Sequence, residues 1–356
     1  MSSTSGTELR WGVVGCGMIS SWFVSDLMLP RSDSSPRHKL QAVGSSSVEK
    51  AREFVQTHAP AVSPSLYPSY DKVFNDANVD IVYIGTPHSC HFENAFAAIQ
   101  AGKNVLCEKP LTINARQAES LITAAREKNV YLMETVWTRF FPIASALRSI
   151  IHDQKRLGKL SRFFMDFGMH MQTSSLPQDS RLKDPSKGAG ALLDIGIYTL
   201  TWASIVFDQH PDNDSSQPAT VSSSMTLKDG IDETTSIILN YPSLQAQAIC
   251  TTTLLRSSDQ IFGRIEGSNG TILMGGNGAS KPLFLVVRER GKEEERLDFP
   301  IPPKSGFYHE QDAIAADLAA GRKESNVIPL DESLRIMRLM DSVRYTNGLR
   351  YPQDEK

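Results

Sequence analysis

The sequence predicts an α/β protein with two domains. Over the first 135 residues, short strand-like runs alternate with helix-like segments, which is typical of a parallel sheet covered by helices on both faces. After about Phe141, closely spaced strands separated by Gly, Asp, Asn and Pro favour a large, mostly antiparallel sheet. The length of 356 residues exceeds one typical domain of about 150 residues. We therefore expect one domain over residues 7–138 and another over 139–350.

The strands of the first region are short apolar runs, predicted at 10–14, 39–43, 80–84, 104–107 and 130–133. Two helix patterns lie between them. The first has apolar residues at i, i+3, i+4 and i+7 and then a glycine suited to a C-cap, namely Phe92, Ala95, Phe96, Ile99 and Gly102. The second begins at an N-cap, Asn114, and has an apolar face of Ala118, Leu121, Ile122 and Ala125.

The second region has strand patterns separated by turn signals such as Asp229-Gly230 and Asn269-Gly270. Strands are predicted at 162–169, 221–227, 234–241, 246–255, 260–266, 270–274 and 283–289. The polar segment 208–218 is predicted to be an exposed loop. Two helices are expected near the end of the chain, at 309–320 and 331–344.

Charge and composition exclude several classes of protein. The chain has 37 Lys and Arg against 40 Asp and Glu, and this net charge of −3 argues against a nucleic-acid partner bound through bulk positive charge. The first residues contain no apolar signal region and no run approaches 18 apolar residues, so neither secretion nor a membrane span is expected. Four cysteines without a CxxC pair or metal-ligand spacing indicate a reduced, cytoplasmic chain without a metal site.

A glycine-rich turn follows the first strand and opens a helix. It consists of Gly15, Cys16, Gly17, Met18, Ile19 and Ser20. The first glycine permits the tight turn, the second lets the backbone approach a pyrophosphate at the helix N-terminus, and the third position needs only a small residue for packing. In this strand–turn–helix context, the motif predicts a Rossmann dinucleotide-binding domain.

The tip of the second strand indicates which dinucleotide binds. An NAD site usually has Asp or Glu there to bind the ribose 2′-hydroxyl, but this chain has Ser45, Ser46 and Ser47, with Lys50 on the following helix. Hydroxyls and a lysine can donate hydrogen bonds to a 2′-phosphate, which favours NADP. A serine at this place can also act as the N-cap of the next helix.

Three segments emerge at the carboxyl ends of the predicted parallel strands, where ligands bind in open α/β sheets. They begin at Thr86, Glu108 and Glu134. The second segment contains Lys109 directly after an apolar strand, where burial disfavours the charged form of a lysine unless it has a partner. A surface lysine that extends to solvent is the alternative.

Together, these motifs resemble those of the Gfo/Idh/MocA oxidoreductases. The motifs are GxGxxS at Gly15–Ser20, TPxxxH at Thr86–His91, EKP at Glu108–Pro110 and GxGALLDxGxY at Gly188–Tyr198. The segment 132–142 and Tyr198 resemble the branch of dimeric dihydrodiol dehydrogenases and NADP-dependent D-xylose 1-dehydrogenases. Ala189 stands where a third glycine is usual, and the three serines replace an Ala-Arg pair. The resemblance implies a Rossmann domain followed by an α/β domain whose open antiparallel sheet is the homodimer interface.

The resemblance also implies the catalytic residues. Lys109 should lie beside the nicotinamide C4, and Asp194 and Tyr198 are four residues apart, so they would share a face on a regular helix. Oxidation of an alcohol needs an acceptor for a hydride and a base for a proton. Either Tyr198 is the base, with its pKa lowered by Lys109, or Lys109 is the base and Tyr198 orients the substrate. Asp194 would orient sugar hydroxyls or the lysine.

The remaining contacts are expectations from the same placement. The cofactor contacts are Gly15, Cys16, Gly17, Met18, Ile19, Ser45, Ser46, Ser47, Lys50, Thr86, Pro87, His88, His91, Glu108, Lys109, Trp137 and Arg139. The substrate contacts are His91, Trp137, Phe140, Phe167, Asp194 and Tyr198. Aromatic walls with few polar groups suit a sugar ring or a cyclic diol.

The expected activity is NADP-dependent oxidation of a pyranose, first of all D-xylose, at C1 to the lactone. Oxidation of trans-dihydrodiols is the alternative within the same branch, and an oxidoreductase of a biosynthetic pathway is another. A non-catalytic regulator that senses dinucleotide is the alternative from a different class of protein.

Overall fold

A computed structural model of the protein describes residues 8–31, 36–301 and 304–355. The described residues form two compact units, one within 8–137 and 301–337 and the other within 138–300 and 338–355. The predicted boundary near residue 138 therefore coincides with the first division. The structure differs from the predicted domains in one respect, because residues 301–337 belong to the first unit and not to the second.

The first unit contains a six-stranded parallel sheet in the order β3-β2-β1-β4-β5-β6. Its strands are β1 (Glu8–Val14), β2 (Arg37–Gly44), β3 (Ser65–Tyr67), β4 (Ile81–Ile84), β5 (Asn104–Glu108) and β6 (Leu132–Thr135). The helices are α1 (Met18–Leu27), α2 (Val48–His58), α3 (Tyr70–Phe74), α4 (His88–Gln100) and α5 (Ala115–Lys128). All five strands predicted here are present, whereas β3 was not predicted because three residues are too short for a pattern.

The two helix patterns have different outcomes. Asn114 is the N-cap of α5, since its side chain accepts a hydrogen bond from the Gln117 amide, and the predicted apolar face is buried. The predicted face of α4 is rotated, because α4 buries His91, Ala95, Ala98 and Ile99 while Phe96 is 37 % exposed. The small side chains of Ala95 and Ala98 let α4 approach the sheet closely, so the rings of Phe92 and Phe96 lie at the outer edge of the contact.

The second unit contains an eight-stranded sheet in the order β14-β13-β12-β11-β7-β10-β9-β8. It is antiparallel except where β7 pairs with β10. The strands are β7 (Leu160–Gly168), β8 (Thr220–Lys228), β9 (Ile231–Tyr241), β10 (Ala246–Thr253), β11 (Ile261–Gly267), β12 (Gly270–Gly276), β13 (Pro282–Glu289) and β14 (Glu295–Asp298). The helices are α6 (Pro142–Arg148) and α7 (Ile197–Ala203). The seven strands predicted here are confirmed, and β14 is additional.

The two helices predicted near the end of the chain are present as α8 (Tyr308–Ala319) and α9 (Leu330–Thr346). The Asp26 carboxylate on α1 accepts hydrogen bonds from the amides of Ser305, Gly306 and Phe307 at 3.1, 2.7 and 2.7 Å. Asp317 on α8 accepts another from the Tyr131 hydroxyl at 2.9 Å. These hydrogen bonds explain why α8 and the residues just before it belong to the first unit. An amphipathic pattern cannot reveal this.

Within the described residues, one helical stretch, 185–208, has the length and apolarity of a membrane span. The most apolar 18-residue window of this stretch is entirely buried in the second unit, where the stretch includes α7. Burial of this kind is what the central helix of a packed domain requires.

Candidate active site

The glycine turn between β1 and α1 has the geometry that the sequence predicts. Gly15 has φ +88°, and a Cβ added there would lie 2.7 Å from the Gly85 carbonyl oxygen, so only glycine fits. Gly17 precedes α1 in an extended conformation, and no described atom lies within 4 Å of a Cβ added at this position. Ser20 is buried against Gly85. An open space before the N-terminus of a ten-residue helix fits a pyrophosphate.

The serines at the tip of β2 have separate positions. Ser45 is buried, and its amide donates to the Tyr67 carbonyl at 3.2 Å. Ser47 is the N-cap of α2 and accepts from the Lys50 amide, as the alternative reading predicts. Ser46 is exposed, and its hydroxyl accepts a hydrogen bond from the Lys50 ammonium at 3.1 Å. A neighbouring hydroxyl and ammonium in solvent can both turn toward a phosphate.

One carboxylate lies near this strand tip. Glu49 is in the first turn of α2, and its pKa is lowered by hydrogen bonds from its own amide and from the Ser47 hydroxyl. Its oxygens are therefore bound at the helix N-terminus, where an acid is stabilised by the helix dipole.

The segment after β5 begins with a buried acid. Glu108 accepts hydrogen bonds from the Tyr83 hydroxyl at 2.8 Å and from the Lys109 amide at 3.2 Å. Burial raises the pKa of Glu108 to about 7, although the Lys109 ammonium and the Tyr83 hydroxyl act in the opposite direction. Lys109 itself is half-buried, and its peptide bond to Pro110 is cis. The Lys109 charge therefore acts on a buried carboxylate that precedes it directly in the sequence.

His91 differs from its predicted place as a cofactor or substrate contact. The ring is fully buried, with Nδ1 2.8 Å from the Pro110 carbonyl oxygen and Nε2 2.9 Å from that of Thr86. Burial lowers the pKa of His91 to about 4, so the ring is neutral and donates to one of these two carbonyls. His91 therefore packs between the segments after β4 and β5. His88 is half-buried, with its ring centroid 5.7 Å from that of His91, and it remains the candidate contact to the cofactor.

An aromatic stack stands beside the glycine turn. The Trp137 ring lies parallel to the Trp22 ring with a centroid distance of 6.4 Å, and it contacts Phe307 at 4.5 Å. Trp137 is buried, whereas Trp22 on α1 is 41 % exposed and Met18, one turn earlier, is 61 % exposed. The sequence indicated Trp137 but not Trp22, although an exposed tryptophan four residues after Met18 was a usable signal.

A buried acid on α8 was missed entirely. Glu310 is fully buried, and neither carboxylate oxygen has a hydrogen-bond partner among the described residues. Its pKa is raised well above the usual range by burial and then by the charges of Glu108 and Asp26. Nothing in the sequence places α8 beside β5, so no pattern could have found this pair.

In the second unit, Asp194 and Tyr198 occupy one helical stretch that is not a regular α-helix. Residues Leu192–Gly196 form a π-helical turn and α7 begins only at Ile197, so the four-residue spacing does not give the relation predicted from an α-helix. Asp194 is buried and lies 3.5 Å from the Arg181 guanidinium. Tyr198 is buried with its ring edge-on to Phe167 at 5.8 Å. Arg181 was not predicted.

The other predicted residues of the second unit are Arg139 and Phe140. Arg139 is buried. Burial and, after it, the charge of Arg139 lower the pKa of Arg148. Phe140 is half-buried. Across residues 8–31, 36–301 and 304–355, no group of three His, Cys, Asp or Glu side chains lies close enough to hold a metal ion.

Two family models match the chain. The model of the oxidoreductase family with an NAD-binding Rossmann fold, GFO/IDH/MocA, matches residues 9–136, and the model of the GFO/IDH/MocA C-terminal domain matches residues 145–273.

Curated relatives match over nearly the full length. The D-xylose 1-dehydrogenase (NADP(+)) of Hypocrea jecorina is 35 % identical, with 99 % of this chain and 95 % of that protein covered. The human trans-1,2-dihydrobenzene-1,2-diol dehydrogenase is also 35 % identical, with coverages of 98 % and 99 %.

Solved structures share the fold. A 3-ketoreductase from Actinomadura kijaniata, crystallised with NADP and TDP-benzene, has a TM-score of 0.78 at 22 % identity, with coverages of 95 % and 98 %. The aldose-aldose oxidoreductase from Caulobacter crescentus has a TM-score of 0.80 at 21 % identity, with coverages of 96 % and 98 %.

The buried acid Glu310 generates a prediction about stability and pH. Because its pKa is raised in the folded state, Glu310 favours folding below the unfolded-state pKa of 4.5, and this contribution is lost as the pH rises through the folded-state pKa. Glu310→Gln cannot ionise, so its melting temperature relative to wild type should increase from pH 5 to pH 8. Scanning calorimetry at both pH values measures this difference. Glu127→Gln, exposed on α5, is the matched control, and an unchanged difference for Glu310→Gln would contradict the prediction.

Proposed function

Because the chain belongs to the Gfo/Idh/MocA oxidoreductase family, we propose that it is an NADP-dependent dehydrogenase that oxidises a pyranose at C1 to the lactone. D-xylose is the first candidate substrate. The observation that carries this proposal is full-length similarity, at 35 % identity, to an NADP-dependent D-xylose 1-dehydrogenase. The motif residues Lys109, Asp194 and Tyr198 supply the groups that such a reaction needs.

The residues that would hold the dinucleotide are those of the first unit. The pyrophosphate would lie in the open space at Gly17 and receive hydrogen bonds from the N-terminal amides of α1. Ser46 and Lys50 would donate hydrogen bonds to the 2′-phosphate. The nicotinamide, when bound, supplies the acceptor for a hydride. His88 and Trp137 lie in the same unit and are proposed to contact its ring.

The chain supplies the proton acceptor. The C1–H bond breaks with its electron pair leaving as hydride, the O–H bond gives its proton to a base, and the two steps leave a C=O bond. Tyrosine has a pKa of about 10 and needs a neighbouring cation to accept a proton near neutrality. The motif resemblance supports Lys109 either as that cation or as the base itself. Asp194, held by Arg181, orients the sugar hydroxyls.

A trans-dihydrodiol dehydrogenase is the second candidate. The human enzyme of that name is as similar as the xylose dehydrogenase, at 35 % identity over 98 % of this chain. The stacked rings of Trp22 and Trp137 favour a flat, partly apolar ligand. A hydride leaves the diol carbon and a proton leaves its hydroxyl, as in sugar oxidation, so the residue roles are unchanged. Reduction or oxidation of a sugar intermediate in biosynthesis belongs to the same chemistry.

We predict that Lys109→Met and Tyr198→Phe each lower kcat by about 100-fold or more, because each removes a group that carries or stabilises the transferred proton. The dissociation constant of NADP should change by less than about threefold, since neither residue binds phosphate. Absorbance at 340 nm with D-xylose, other pyranoses and dihydrodiols measures turnover, and fluorescence titration measures NADP binding. Exposed Lys128→Met and Tyr345→Phe are the controls.

The alternatives give different outcomes in that assay. Wild-type kcat in either variant removes that residue from the mechanism. Tight NADP binding without turnover on any substrate would leave the dinucleotide-sensing regulator, whereas turnover on dihydrodiols alone would favour the second candidate.

The cofactor preference depends on Ser46 and Lys50. We predict that Lys50→Ala raises the KM for NADP about tenfold and leaves the KM for NAD unchanged, because only the 2′-phosphate receives the lost charge-assisted hydrogen bond. Initial rates with both dinucleotides measure the two constants, and Lys39→Ala on β2 is the control. Equal effects on both dinucleotides, or a wild-type preference for NAD, would contradict the proposed 2′-phosphate site.

We propose that two copies associate through the open face of the eight-stranded sheet. A row of at least partly exposed side chains crosses this face on successive strands, namely Ile238, Ile249, Phe164, Arg264 and Leu273. The Arg264 guanidinium lies 4.2 Å from the Phe164 ring centroid. Such a continuous half-apolar surface is typical of an interface.

The homodimer is tested by mass. Light scattering should give twice the chain mass of 39.3 kDa for wild type and the single mass for the double variant Ile238→Arg, Ile249→Arg. Gln100→Arg, exposed on α4, is the control and should stay dimeric. A monomeric wild type, or a dimeric double variant, would contradict this interface.

The proposed partner is thus a small sugar or cyclic diol, with no nucleic acid or membrane involved. A cytoplasmic location is proposed because Cys16, Cys90, Cys107 and Cys250 are all free thiols. Cell fractionation checks the location.

A further inference from the structure

A buried carboxylate on β9 binds the start of the helical stretch that carries Asp194 and Tyr198. Asp232 is fully buried, and its Oδ2 accepts hydrogen bonds from the Leu192 amide at 2.8 Å and from the Thr235 hydroxyl at 2.6 Å. Leu192 is the first residue of the π-helical turn. The carboxylate therefore caps this turn from another element of the same unit.

The contact is tight enough to dictate the residue before the helix. Gly190 has φ +135°, and a Cβ added there would lie 2.2 Å from the other carboxylate oxygen of Asp232. That oxygen, Oδ1, has no hydrogen-bond partner among the described residues. A buried carboxylate without a full set of partners is costly.

The end of the chain supports the same turn from a second side. The Tyr351 hydroxyl donates to the Ala189 carbonyl at 2.5 Å. The buried Arg344 guanidinium lies 4.8 Å from the Tyr351 ring centroid and forms ion pairs with Asp341 and Asp354 at 2.6 and 2.7 Å. Ala189, before Gly190, is therefore held through its carbonyl. Ala191, after Gly190, directly precedes Leu192, whose amide is bound by Asp232.

We propose that Asp232 is a positioning residue for the dehydrogenase reaction, which maintains the π-helical turn and thereby the orientation of Asp194 relative to Tyr198. A π-helical turn contains one residue more than an α-helical turn, so its loss would rotate Asp194 about the helix axis with respect to Tyr198. Single-residue insertions of this kind are common at functional sites because they aim a side chain. This inference rests on the proposed function.

The charges around Asp232 agree with this role. Burial raises the pKa of Asp232 to about 6, and the Thr235 hydroxyl, the Leu192 amide and the Arg344 charge act in the opposite direction. Above that pH the carboxylate is ionised. A negative charge at the N-terminus of a helical stretch is stabilised by the helix dipole, so the ionised form binds the turn more strongly than the neutral form.

The test separates positioning from folding. Asp232→Ala removes the acceptor of the Leu192 amide, and kcat should fall about tenfold or more while the KM for NADP stays unchanged. Asp232→Asn keeps an acceptor oxygen at the same distance from the backbone, and its kcat should be within about threefold of that of wild type. Asp229→Asn, on the exposed turn of the same hairpin, is the matched control and should be unchanged. Should the alanine variant not fold, Asp232→Ser replaces it, because its oxygen is one bond too short for the Leu192 amide.

A second readout does not require turnover. Hydrogen–deuterium exchange of peptides covering 189–198 should be faster in Asp232→Ala or Asp232→Ser than in wild type and in Asp232→Asn. Wild-type kcat and wild-type exchange in the alanine or serine variant would overturn the proposal, and so would equal losses in the alanine and asparagine variants. If wild type oxidises no sugar or diol, the proposed function fails, and the exchange experiment alone decides whether Asp232 holds the turn.

Discussion

The carboxyl edge of the first sheet depends on one buried imidazole. His91, in the segment after β4, lies between the Pro110 and Thr86 carbonyls, so its ring packs the segments after β4 and β5 against each other. Burial and the nearby Lys109 charge both keep this ring neutral. A charged histidine would repel the lysine ammonium, whereas the neutral ring fixes the backbone of the EKP segment without adding charge. The lysine can then be held in place by backbone geometry, and its side chain stays available.

Both units place an acid where burial works against ionisation. Glu108 and Glu310 share the interior of the first unit, and Asp232 lies under the helix of the second. In each case burial is the largest cause of the raised pKa. Glu310 and Asp232 also have carboxylate oxygens without a hydrogen-bond partner among the described residues. Natural sequences leave buried polar groups without partners mainly at functional sites. Glu108 belongs to the EKP motif, its charge acts on Glu310, and Asp232 binds the amide of the motif residue Leu192.

The sequence predicted what is encoded locally. The strand runs, the Asn114 cap and the glycine turn each depend on residues within one element, and all are present. What it missed depends on residues distant in sequence. The assignment of α8 to the first unit rests on Asp26 binding amides about 280 positions away, and no periodic pattern contains that information. Glu310 was missed for the same reason. The π-helical turn was missed because helical periodicity is read as if every turn were regular.

The balance of charge acquires a physical explanation at the strand tip. A ligand with several phosphates normally invites a basic surface, yet the chain has three more acids than bases. Here backbone amides at a helix N-terminus and one lysine beside one hydroxyl provide the positive potential only where a phosphate would lie. Because that potential is local, it attracts a single dinucleotide without attracting polyanions. In the proposed site, specificity for the 2′-phosphate rests on a very small number of exposed groups, so we expect a change at Ser46 or Lys50 to alter the choice of cofactor without disturbing the fold.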